Sequence, residues 1–327
     1  QALAFGREGK ILASADAKGN ILVWEEDAVD HWTCTMTFVV EELPIECVAI
    51  AADGERLWVC HDSASKLTSC SIKEDADSPT VVELPVPDEA TRVRGVAFSP
   101  GGEFLVTHWQ QEGAWEVALW EVAQQQLLNT FPFAPDYGAI YAAHFSRDGR
   151  LLACGCNAGL VLFETADYRT VIFVRGDCAN SVAISPDSSL LAFPDWRRSL
   201  IRLWSISANR EVAVLRHSGV NQVAFRSDGR QLVSTSPGSV CFWHLAGADE
   251  RLAPSGHRGG VPAVRFSPDG AILASGGKDR TVKIWNPVTG DLVREFTGFR
   301  REVQTVAFSP DADMLATGDF AGVCEIR

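Results

Sequence analysis

Cysteine and histidine are the side chains of this 327-residue sequence best suited to holding a metal ion. Cys154 and Cys156 stand two positions apart, so on a strand their side chains point to the same face. No Cys-x-x-Cys pair accompanies them, and the neighbouring Asn157 is a poor ligand. The histidines show no metal-ligand spacing: His31, His61, His108, His144, His217 and His244. We therefore predict no metal and no cofactor, and interpret the two cysteines as small residues of a buried strand.

Ser-His-Asp catalysis is the other chemistry that these residue types could support. Spacing alone does not decide against it, since triad residues come together only in the fold. However, no nucleophile sits in a recognisable strand-turn-helix elbow, and no glycine-rich loop opens a helix that could hold a phosphate. The sequence therefore nominates no catalytic residue.

The charge balance argues against nucleic acids and membranes as partners. Lys and Arg total 29 against 42 Asp and Glu, a formal net charge of −13. Such a surface repels phosphate backbones unless its basic residues cluster tightly on one face. The longest apolar runs are strand-sized and fall far short of the roughly 20 residues that span a bilayer.

The cysteine usage points to a reducing compartment. The nine cysteines are odd in number and lie mostly in apolar strand patterns, as Cys241 does between Val240 and Phe242. We therefore expect free thiols and a cytoplasmic protein. The sequence opens at Gln1 with neither a start methionine nor a signal peptide, which favours a fragment of a longer polypeptide.

A segment of about 43 residues recurs along the whole sequence and predicts its architecture. Phe5 and Phe308, the first and last anchor residues of this repeat, are 303 positions apart, with seven intervals between them. The eight anchors are Phe5, Ile50, Phe98, Phe145, Ile184, Phe225, Phe266 and Phe308. After each anchor comes a turn, an apolar strand, a second turn and an alternating strand that usually ends in Trp.

The seventh copy shows the physical role of each part. Val264 and Phe266 point to one face of a strand and Arg265 to the other. In the Ser-Pro-Asp-Gly turn at 267–270, Pro presets φ, Asp bonds to the backbone and Gly accepts a positive φ. A strand covered on both faces and a half-buried alternating strand follow. Roughly twenty further residues supply an outer strand, so each copy provides four strands.

Four strands per copy, repeated radially, predict an all-β propeller of four-stranded antiparallel blades. Eight anchors predict eight blades; the alternative is seven, with one terminal copy belonging to a neighbouring propeller. We expect the last blade to be incomplete, because the sequence stops in its third strand. One propeller domain over 1–327 is expected, with copies at 1–46, 47–94, 95–141, 142–180, 181–221, 222–262, 263–304 and 305–327.

Phe-Ser-Pro-Asp-Gly, Leu-Ala-Ser-Gly-Gly-Lys-Asp and Val-Lys-Ile-Trp in the seventh copy resemble the hallmarks of the WD-repeat family. The resemblance covers essentially the whole chain and implies a hydrogen-bonded tetrad of His, Ser or Thr, Asp and Trp in each regular blade. It carries over completely only to the seventh copy, as His257, Ser275, Asp279 and Trp285. We interpret this tetrad as a buried structural network that locks one blade. The other blades are expected to rely on hydrophobic packing.

In WD-repeat proteins, partners usually bind the rim that carries the loop before each copy and the turn between its second and third strands. The copies that break the repeat there carry Trp, Phe and Arg, of which Trp and Arg are typical of interface hot spots. The partner-binding candidates are Trp109, Trp115, Asp195, Trp196, Arg197, Arg198, Phe299, Arg300, Arg301 and Phe320. The arginine pairs could receive an acidic peptide or a phosphate. The alternatives are that Trp109 and Trp196 pack over neighbouring blades and that the arginines are solvated surface.

These features predict a non-catalytic platform or sensor module that binds a protein or peptide on its loop rim. The regular Ser-Pro-Asp-Gly turns resemble those of bacterial WD-repeat proteins, in which a propeller often follows an NTPase, kinase or protease-like domain. By that fold-level analogy, the partner could be an effector domain of the same polypeptide. A multi-partner assembly hub is the second hypothesis. A propeller enzyme, a lyase or hydrolase at the channel mouth, is the third.

Overall fold

Alternating strands joined by Gly-containing turns build the fold. The structure is a computed structural model that describes residues 2–5, 10–16, 19–28, 31–39, 45–51, 55–61, 67–72, 81–83, 90–100, 102–111, 114–131, 133–177, 179–245, 250–252, 256–320 and 323–326. The described strands form eight antiparallel sheets, seven of four strands and one of three. We number these sheets 1 to 8 in chain order.

Sheets 1 to 4 occupy the first half of the chain. Sheet 1 consists of β1 (Ala2–Phe5), β2 (Ile11–Ala15), β3 (Asn20–Ala28) and β4 (His31–Val39). Sheet 2 consists of β5 (Ile45–Ile50), β6 (Arg56–His61), β7 (Leu67–Ser71) and β8 (Val81–Glu83). Sheet 3 consists of β9 (Ala90–Phe98), β10 (Phe104–Gln111), β11 (Ala114–Glu121) and β12 (Gln126–Phe131). Sheet 4 consists of β13 (Ile140–Phe145), β14 (Leu151–Cys156), β15 (Gly159–Glu164) and β16 (Thr170–Arg175).

Sheets 5 to 8 follow with the same order of strands. Sheet 5 consists of β17 (Ala183–Ile184), β18 (Leu190–Asp195), β19 (Leu200–Ser205) and β20 (Arg210–Arg216). Sheet 6 consists of β21 (Gln222–Phe225), β22 (Gln231–Ser236), β23 (Ser239–His244) and β24 (Glu250–Leu252). Sheet 7 consists of β25 (Ala263–Phe266), β26 (Leu273–Gly276), β27 (Val282–Trp285) and β28 (Leu292–Phe296). Sheet 8 consists of β29 (Val303–Phe308), β30 (Leu315–Asp319) and β31 (Cys324–Ile326).

The first strand of each sheet contacts the first strand of the next, and β29 contacts β1. The eight first strands therefore close a ring around a central channel. The predicted class, all-β with four-stranded antiparallel sheets, is confirmed. Outside the strands, the described residues contain a single 3-10 turn, Pro135–Tyr137. No helix among them is long and apolar enough to cross a bilayer.

Apolar side chains hold consecutive sheets together. The buried residues fall into seven clusters, and each cluster draws on two sheets that follow one another. Between sheets 6 and 7, for example, Val233 and Phe242 pack with Val264 and Trp285. Each fully buried side chain of this kind stabilises the fold by about 1.5–3 kcal/mol relative to exposure. Packing of this kind therefore joins each sheet from 1 to 7 to the next one. Sheets 8 and 1 meet through the contacts of β1 with β29 and β30.

The turn between the first and second strands has the geometry that its residues favour. In sheet 7, Ser267 Oγ donates to Asp269 Oδ1 at 2.5 Å and accepts from Ile272 N at 3.1 Å. Gly270 takes a φ of 71°, which a side chain would strain. The hydrogen bond from Ser267 holds the pKa of Asp269 below its usual value. These turns define one end of the ring, and the loop rim is the opposite end.

Candidate functional site

The tetrad residues of sheet 7 form one continuous hydrogen-bonded network. His257 Nδ1 donates to Asp279 Oδ1 at 2.9 Å, and His257 Nε2 lies 2.8 Å from Ser275 Oγ. Trp285 Nε1 donates to the same Ser275 Oγ at 2.8 Å. Gly277 is required beside this network, because a Cβ there would overlap His257 Nδ1 and Asp279 Oδ1.

The order of these bonds resembles a Ser-His-Asp relay, but the serine has no access to a substrate. Ser275 is 0% exposed, and its oxygen accepts from the indole of Trp285. A nucleophile must reach a reacting atom, so this geometry supports a structural role. The network ties the loop before β25 to three segments of the sheet and rigidifies it.

Sheet 6 contains a related network that the sequence reasoning missed. Trp243 Nε1 donates to Ser234 Oγ at 2.8 Å, and His217 Nδ1 lies 2.7 Å from the same oxygen. On its other side, His217 Nε2 lies 2.9 Å from Ser236 Oγ and 3.1 Å from Ser239 Oγ. Two serines thus take the place of the aspartate. The sequence carries a signal for this network in the spacing of its histidine and serine. The spacing from His217 to Ser234 equals that from His257 to Ser275 within one residue.

The Ser/Thr-to-Trp bond also recurs where no complete tetrad exists. Trp120 Nε1 donates to Thr107 Oγ1 at 2.8 Å in sheet 3, and Trp24 Nε1 donates to Ser14 Oγ at 3.3 Å in sheet 1. In sheet 5 the equivalent position is Phe193, which pairs with Arg202 just as Ser275 pairs with Lys283. Phe193 offers no acceptor, and Trp204 Nε1 donates to Asn209 Oδ1 at 3.3 Å instead. These bonds satisfy the indole of each closing tryptophan when it is buried.

The fold favours the neutral form of both network histidines. Burial lowers the pKa of His217. Burial also lowers the pKa of His257, and the opposing effect of Asp279 is smaller. For Asp279 burial acts to raise the pKa, but the hydrogen bonds from His257, Arg258 N and Thr281 outweigh it and the pKa is lowered.

We expect the free energy of unfolding to fall as the pH drops from about 7 to 5, because the unfolded chain then binds more protons than the fold. The histidines of the unfolded chain titrate near 6.5, whereas the pKa values of His217 and His257 in the fold are lower. Stability is therefore full above this range and is lost as the pH falls through it. Urea unfolding at several pH values measures the slope. His217→Gln should reduce the slope, and an unchanged slope would show that His217 does not contribute.

The exposed turn of sheet 5 presents three of the predicted partner-binding residues. The turn covers residues 196–199 between β18 and β19. Trp196 is 50% exposed, and its backbone N donates to Asp177 O at 3.2 Å. Arg197 Nε pairs with Asp177 Oδ2 at 2.6 Å, and the side chain of Arg198 is 67% exposed. We call Trp196, Arg197 and Arg198 the sheet 5 patch.

Asp195 was predicted as a partner-binding residue, and the structure contradicts this. It is the last residue of β18 and is 2% exposed. Its Oδ1 accepts from Arg198 N at 3.2 Å, so it shapes the turn instead of facing a partner. The predicted insertion is also shorter than expected, because Pro194 and Asp195 are paired with Ile201 and Leu200 in the sheet.

Trp109 was also predicted to bind a partner, and it is a core residue. It lies in β10, is 0% exposed and packs in the cluster between sheets 2 and 3. Its ring centroid is 6.2 Å from that of Trp120, in an edge-on arrangement. Trp115 in β11 is half-buried and packs against the cluster between sheets 3 and 4. The residues expected in a loop instead lengthen the β10–β11 hairpin, which runs from the Phe104–Glu121 pair to the Gln111–Ala114 pair.

The partner-binding candidates around sheet 8 also include both buried and exposed residues. Phe299 is buried in the cluster between sheets 7 and 8, which contradicts its predicted role on the surface. Arg300 and Arg301 are exposed, and neither forms an ion pair with a carboxylate in the described part of the chain. Phe320 is 62% exposed, and its backbone N donates to Glu302 O at 2.8 Å. We call Arg300, Arg301 and Phe320 the sheet 8 patch.

The surviving candidates form two patches on one rim. In both sheets, a hydrogen bond joins the loop before the first strand to the turn after the second strand. Sheets 5 and 8 are separated in the ring by sheets 6 and 7. The rim therefore offers two separate surfaces, each with one exposed aromatic ring beside arginines.

Metal chemistry has no site in the described residues. No group of three or more His, Cys, Asp or Glu side chains there could hold a metal ion. Cys154 and Cys156 are buried, and burial raises the pKa of Cys154 far above its usual value. A thiol in that state is protonated and unreactive.

A closed ring of antiparallel sheets, with tryptophans bonded to Ser or Thr inside them, defines a β-propeller. Three segments match the family described as WD domain, G-beta repeat: residues 209–244, 251–286 and 290–325. The chain therefore contains three WD40 repeats. Each match begins at or beside the outer strand of one sheet and ends in or just after the third strand of the next.

Relatives with WD repeats align along most of the chain. WD repeat-containing protein 90 of Mus musculus is 24% identical over 90% of this chain and 17% of its own length. Transcriptional corepressor LEUNIG_HOMOLOG of Arabidopsis thaliana is 24% identical over 86% of this chain and 34% of its own length. Eukaryotic translation initiation factor 3 subunit I of Neosartorya fischeri is 38% identical over 23% of this chain and 22% of its own length. The chain thus spans at most 34% of these curated relatives.

A solved structure shares the fold over nearly the whole chain. The crystal structure of the computationally designed Ika8 protein superposes with a TM-score of 0.79 and 19% sequence identity. The match covers 99% of this chain and 94% of the designed chain.

Proposed function

We propose that this chain is a non-catalytic protein-interaction platform whose loop rim binds a protein or peptide through the sheet 5 patch. The half-exposed indole of Trp196 carries the proposal. An exposed Trp gains nothing in an isolated molecule, and Trp and Arg are enriched among the residues that dominate binding energies. The WD-repeat relatives support a platform, and the inaccessible Ser275 supports the absence of catalysis.

The chemistry of the patch favours an acidic or phosphorylated peptide. Arg198 extends its guanidinium into solvent beside Trp196, with only a distant 3.8 Å contact to the carboxylate of Asp195. Arg197 is already paired with Asp177, but a surface pair of this kind costs little to exchange. A planar guanidinium binds carboxylate or phosphate oxygens in pairs.

The sheet 8 patch favours a second function, an assembly hub that holds more than one partner. Its arginines and Phe320 lie on the same rim but on a sheet that does not adjoin sheet 5. Two separate surfaces allow two partners to bind without exclusion. If Phe320→Ala and Trp196→Ala each abolish binding of a different partner, the result favours the hub. If both variants abolish binding of the same partner, the result favours one extended surface.

An attached effector domain and a cytoplasmic location are further parts of the proposal. The chain spans only part of its curated relatives, which leaves room for other domains in such proteins. In this view the platform senses a partner and restrains or releases a domain of the same polypeptide. Buried free cysteines, such as Cys154 and Cys241, suit a reducing compartment.

We expect the double variant Trp196→Ala, Arg198→Ala to bind its partner about 30-fold or more weakly, because removing a hot-spot residue costs about 2 kcal/mol. The partner is first captured with the wild-type chain and identified by mass spectrometry, and the affinities are then measured with purified proteins. The melting temperature should change little, since both side chains face solvent.

A matched control is available on the same sheet. Val212 and Arg216 are exposed on β20, the outer strand, and Val212→Ala with Arg216→Ala also removes one apolar and one basic side chain. This control should bind as the wild type does. Equal affinities for the rim variant and the control would contradict the proposed surface.

A further inference from the structure

The central channel contains a cavity of about 770 Å³ that the partner-binding rim does not use. It is lined by the first strands of sheets 3 to 7 and by the turns that follow them. The cavity therefore opens at the end of the ring opposite the loop rim. Its size is that of a typical site for a small organic molecule.

In sheets 4, 5 and 6, the first and third residues before the anchor both line the cavity, as Ala224 and Gln222 do before Phe225. In sheet 7, Arg265, directly before the anchor Phe266, lines it as well. The residue directly before the anchor is alanine in six of the copies: Ala4, Ala49, Ala97, Ala183, Ala224 and Ala307. The remaining two copies have His144 and Arg265. Small side chains leave the channel open, and the two exceptions place nitrogen donors inside it.

The mouth of the cavity carries one more cation. Its rim is formed by the residues two positions after the anchors, which are proline at Pro100, Pro186 and Pro268. In sheet 4, Arg147 takes the place of this proline. Neither Arg147 nor Arg265 forms an ion pair with a carboxylate in the described residues.

The lining is basic although the whole chain is acidic. Arg147 and Arg265 are its charged residues, Tyr141 and His144 are its other titratable ones, and none of the described lining residues is an Asp or Glu. The chain as a whole has a formal charge of −13. A positive cavity within such a protein concentrates anions, because low-dielectric walls focus the field of the few charges inside.

Arg265 is also held in a position to bind. Its NH1 donates to Val264 O at 2.8 Å and lies 3.5 Å from Gln222 Oε1. Gln222 is itself fixed, because its Oε1 accepts from Val264 N at 3.0 Å. The remaining guanidinium nitrogens of Arg265 have no bonding partner among the described residues and can receive an oxyanion. Burial lowers the pKa of His144, and the charge of Arg265 lowers it further. The two side chains therefore interact electrostatically within the channel.

Apolar side chains complete the site. Phe98, Val182 and Phe225 line the same cavity as the arginines. A ligand with a charged group at one end and an apolar skeleton could bury both. We propose that the channel cavity binds a small organic anion, whose carboxylate, sulfonate or phosphate lies against Arg265 and Arg147. This site is independent of the partner surface proposed for the rim.

The test uses two fluorescent probes that differ only in their charge. The aromatic sulfonate 1-anilinonaphthalene-8-sulfonate carries the anion, and N-phenyl-1-naphthylamine has the same rings without it. We expect the wild-type chain to bind the sulfonate about tenfold or more tightly than the neutral probe. Inorganic pyrophosphate should displace the sulfonate probe, because pyrophosphate binds the two arginines without contacting the apolar side chains.

Arginine variants test whether the sulfonate probe binds in the channel. Arg265→Gln and Arg147→Gln should each weaken sulfonate binding about tenfold and leave the weak binding of the neutral probe unchanged. Arg150→Gln is the matched control, because Arg150 is exposed in the turn of sheet 4 but does not line the cavity. Arg265→Lys should retain part of the affinity.

The outcomes separate binding from folding. A melting curve of each variant shows whether it is folded, and Arg147→Gln carries the test if Arg265→Gln is unstable, since Arg147 is exposed at the mouth. The proposal is overturned if the wild type does not bind the sulfonate at millimolar concentration. Equal binding of the two probes, or unchanged affinity in Arg147→Gln, would also overturn it.

Discussion

Trp109→Ala should lower the free energy of unfolding by about 3–5 kcal/mol, as expected for a large core aromatic. The indole of Trp109 is 0% exposed and packs with Trp58 and Trp120 between sheets 2 and 3. Its removal leaves a cavity whose walls belong to two different sheets, so neither sheet can close it alone. Equilibrium unfolding in urea, followed by tryptophan fluorescence and circular dichroism, measures the loss.

Two companion variants sharpen this test. Trp196→Ala removes the same side chain from a half-exposed turn and should change stability by less than about 0.5 kcal/mol. Trp109→Phe retains the aromatic ring and removes an indole N–H that is buried without an acceptor in the described residues, so its loss should be smaller than that of Trp109→Ala. Equal stability of Trp109→Ala and Trp196→Ala would contradict the burial of Trp109 between sheets 2 and 3.

Asp279→Ala should lower the free energy of unfolding by about 2–4 kcal/mol, because it removes the acceptor of one buried donor and two more accessible ones at once. The carboxylate accepts from His257 Nδ1, from Arg258 N at 2.7 Å and from Thr281 Oγ1 at 2.8 Å. After the substitution, the buried Nδ1 of His257 would lose both carboxylate oxygens and keep Thr281 Oγ1, at 3.2 Å, as its partner among the described residues. Urea unfolding measures the change, and hydrogen exchange of sheet 7 shows whether the loss is local.

The control for this variant is another aspartate of sheet 7. Asp291 is exposed in the turn between β27 and β28, and its side chain makes no described hydrogen bond. Asp291→Ala should therefore be nearly neutral. Partner affinity should be unaffected by Asp279→Ala in the folded protein, since the network lies inside the sheet. A loss of affinity without a loss of stability would instead give Asp279 a role at the surface.

The difference between Trp109 and Trp196 shows where sequence reasoning reaches its limit. In the sequence, both tryptophans stand where the turn after the second strand is expected, and both interrupt the repeat. An interruption of a given length can either bulge out as a loop or lengthen the two strands of the hairpin. Around Trp109 the strands lengthen, and the extra residues reach the cluster of sheet 2. Around Trp196 the chain turns back within four residues.

The networks of sheets 6 and 7 show a related limit. His257, Ser275, Asp279 and Trp285 could be recognised because the pattern carries all four residue types at their usual spacing. In sheet 6 the aspartate is absent, yet His217 finds Ser236 and Ser239 across the turn. Several polar side chains can satisfy the same imidazole, so a search for one residue type misses the others.

The sequence by itself determined the strand pattern, the repeat of about 43 residues and the chemistry of the turns, because these depend on neighbours along the chain. Only the tertiary structure decided which tryptophans and arginines reach solvent. Trp109 and Phe299 are buried because a second sheet covers them, whereas Trp196 and Phe320 lie where no described element does. Exposure is a property of the whole ring, and the local sequence at each rim position is compatible with either outcome.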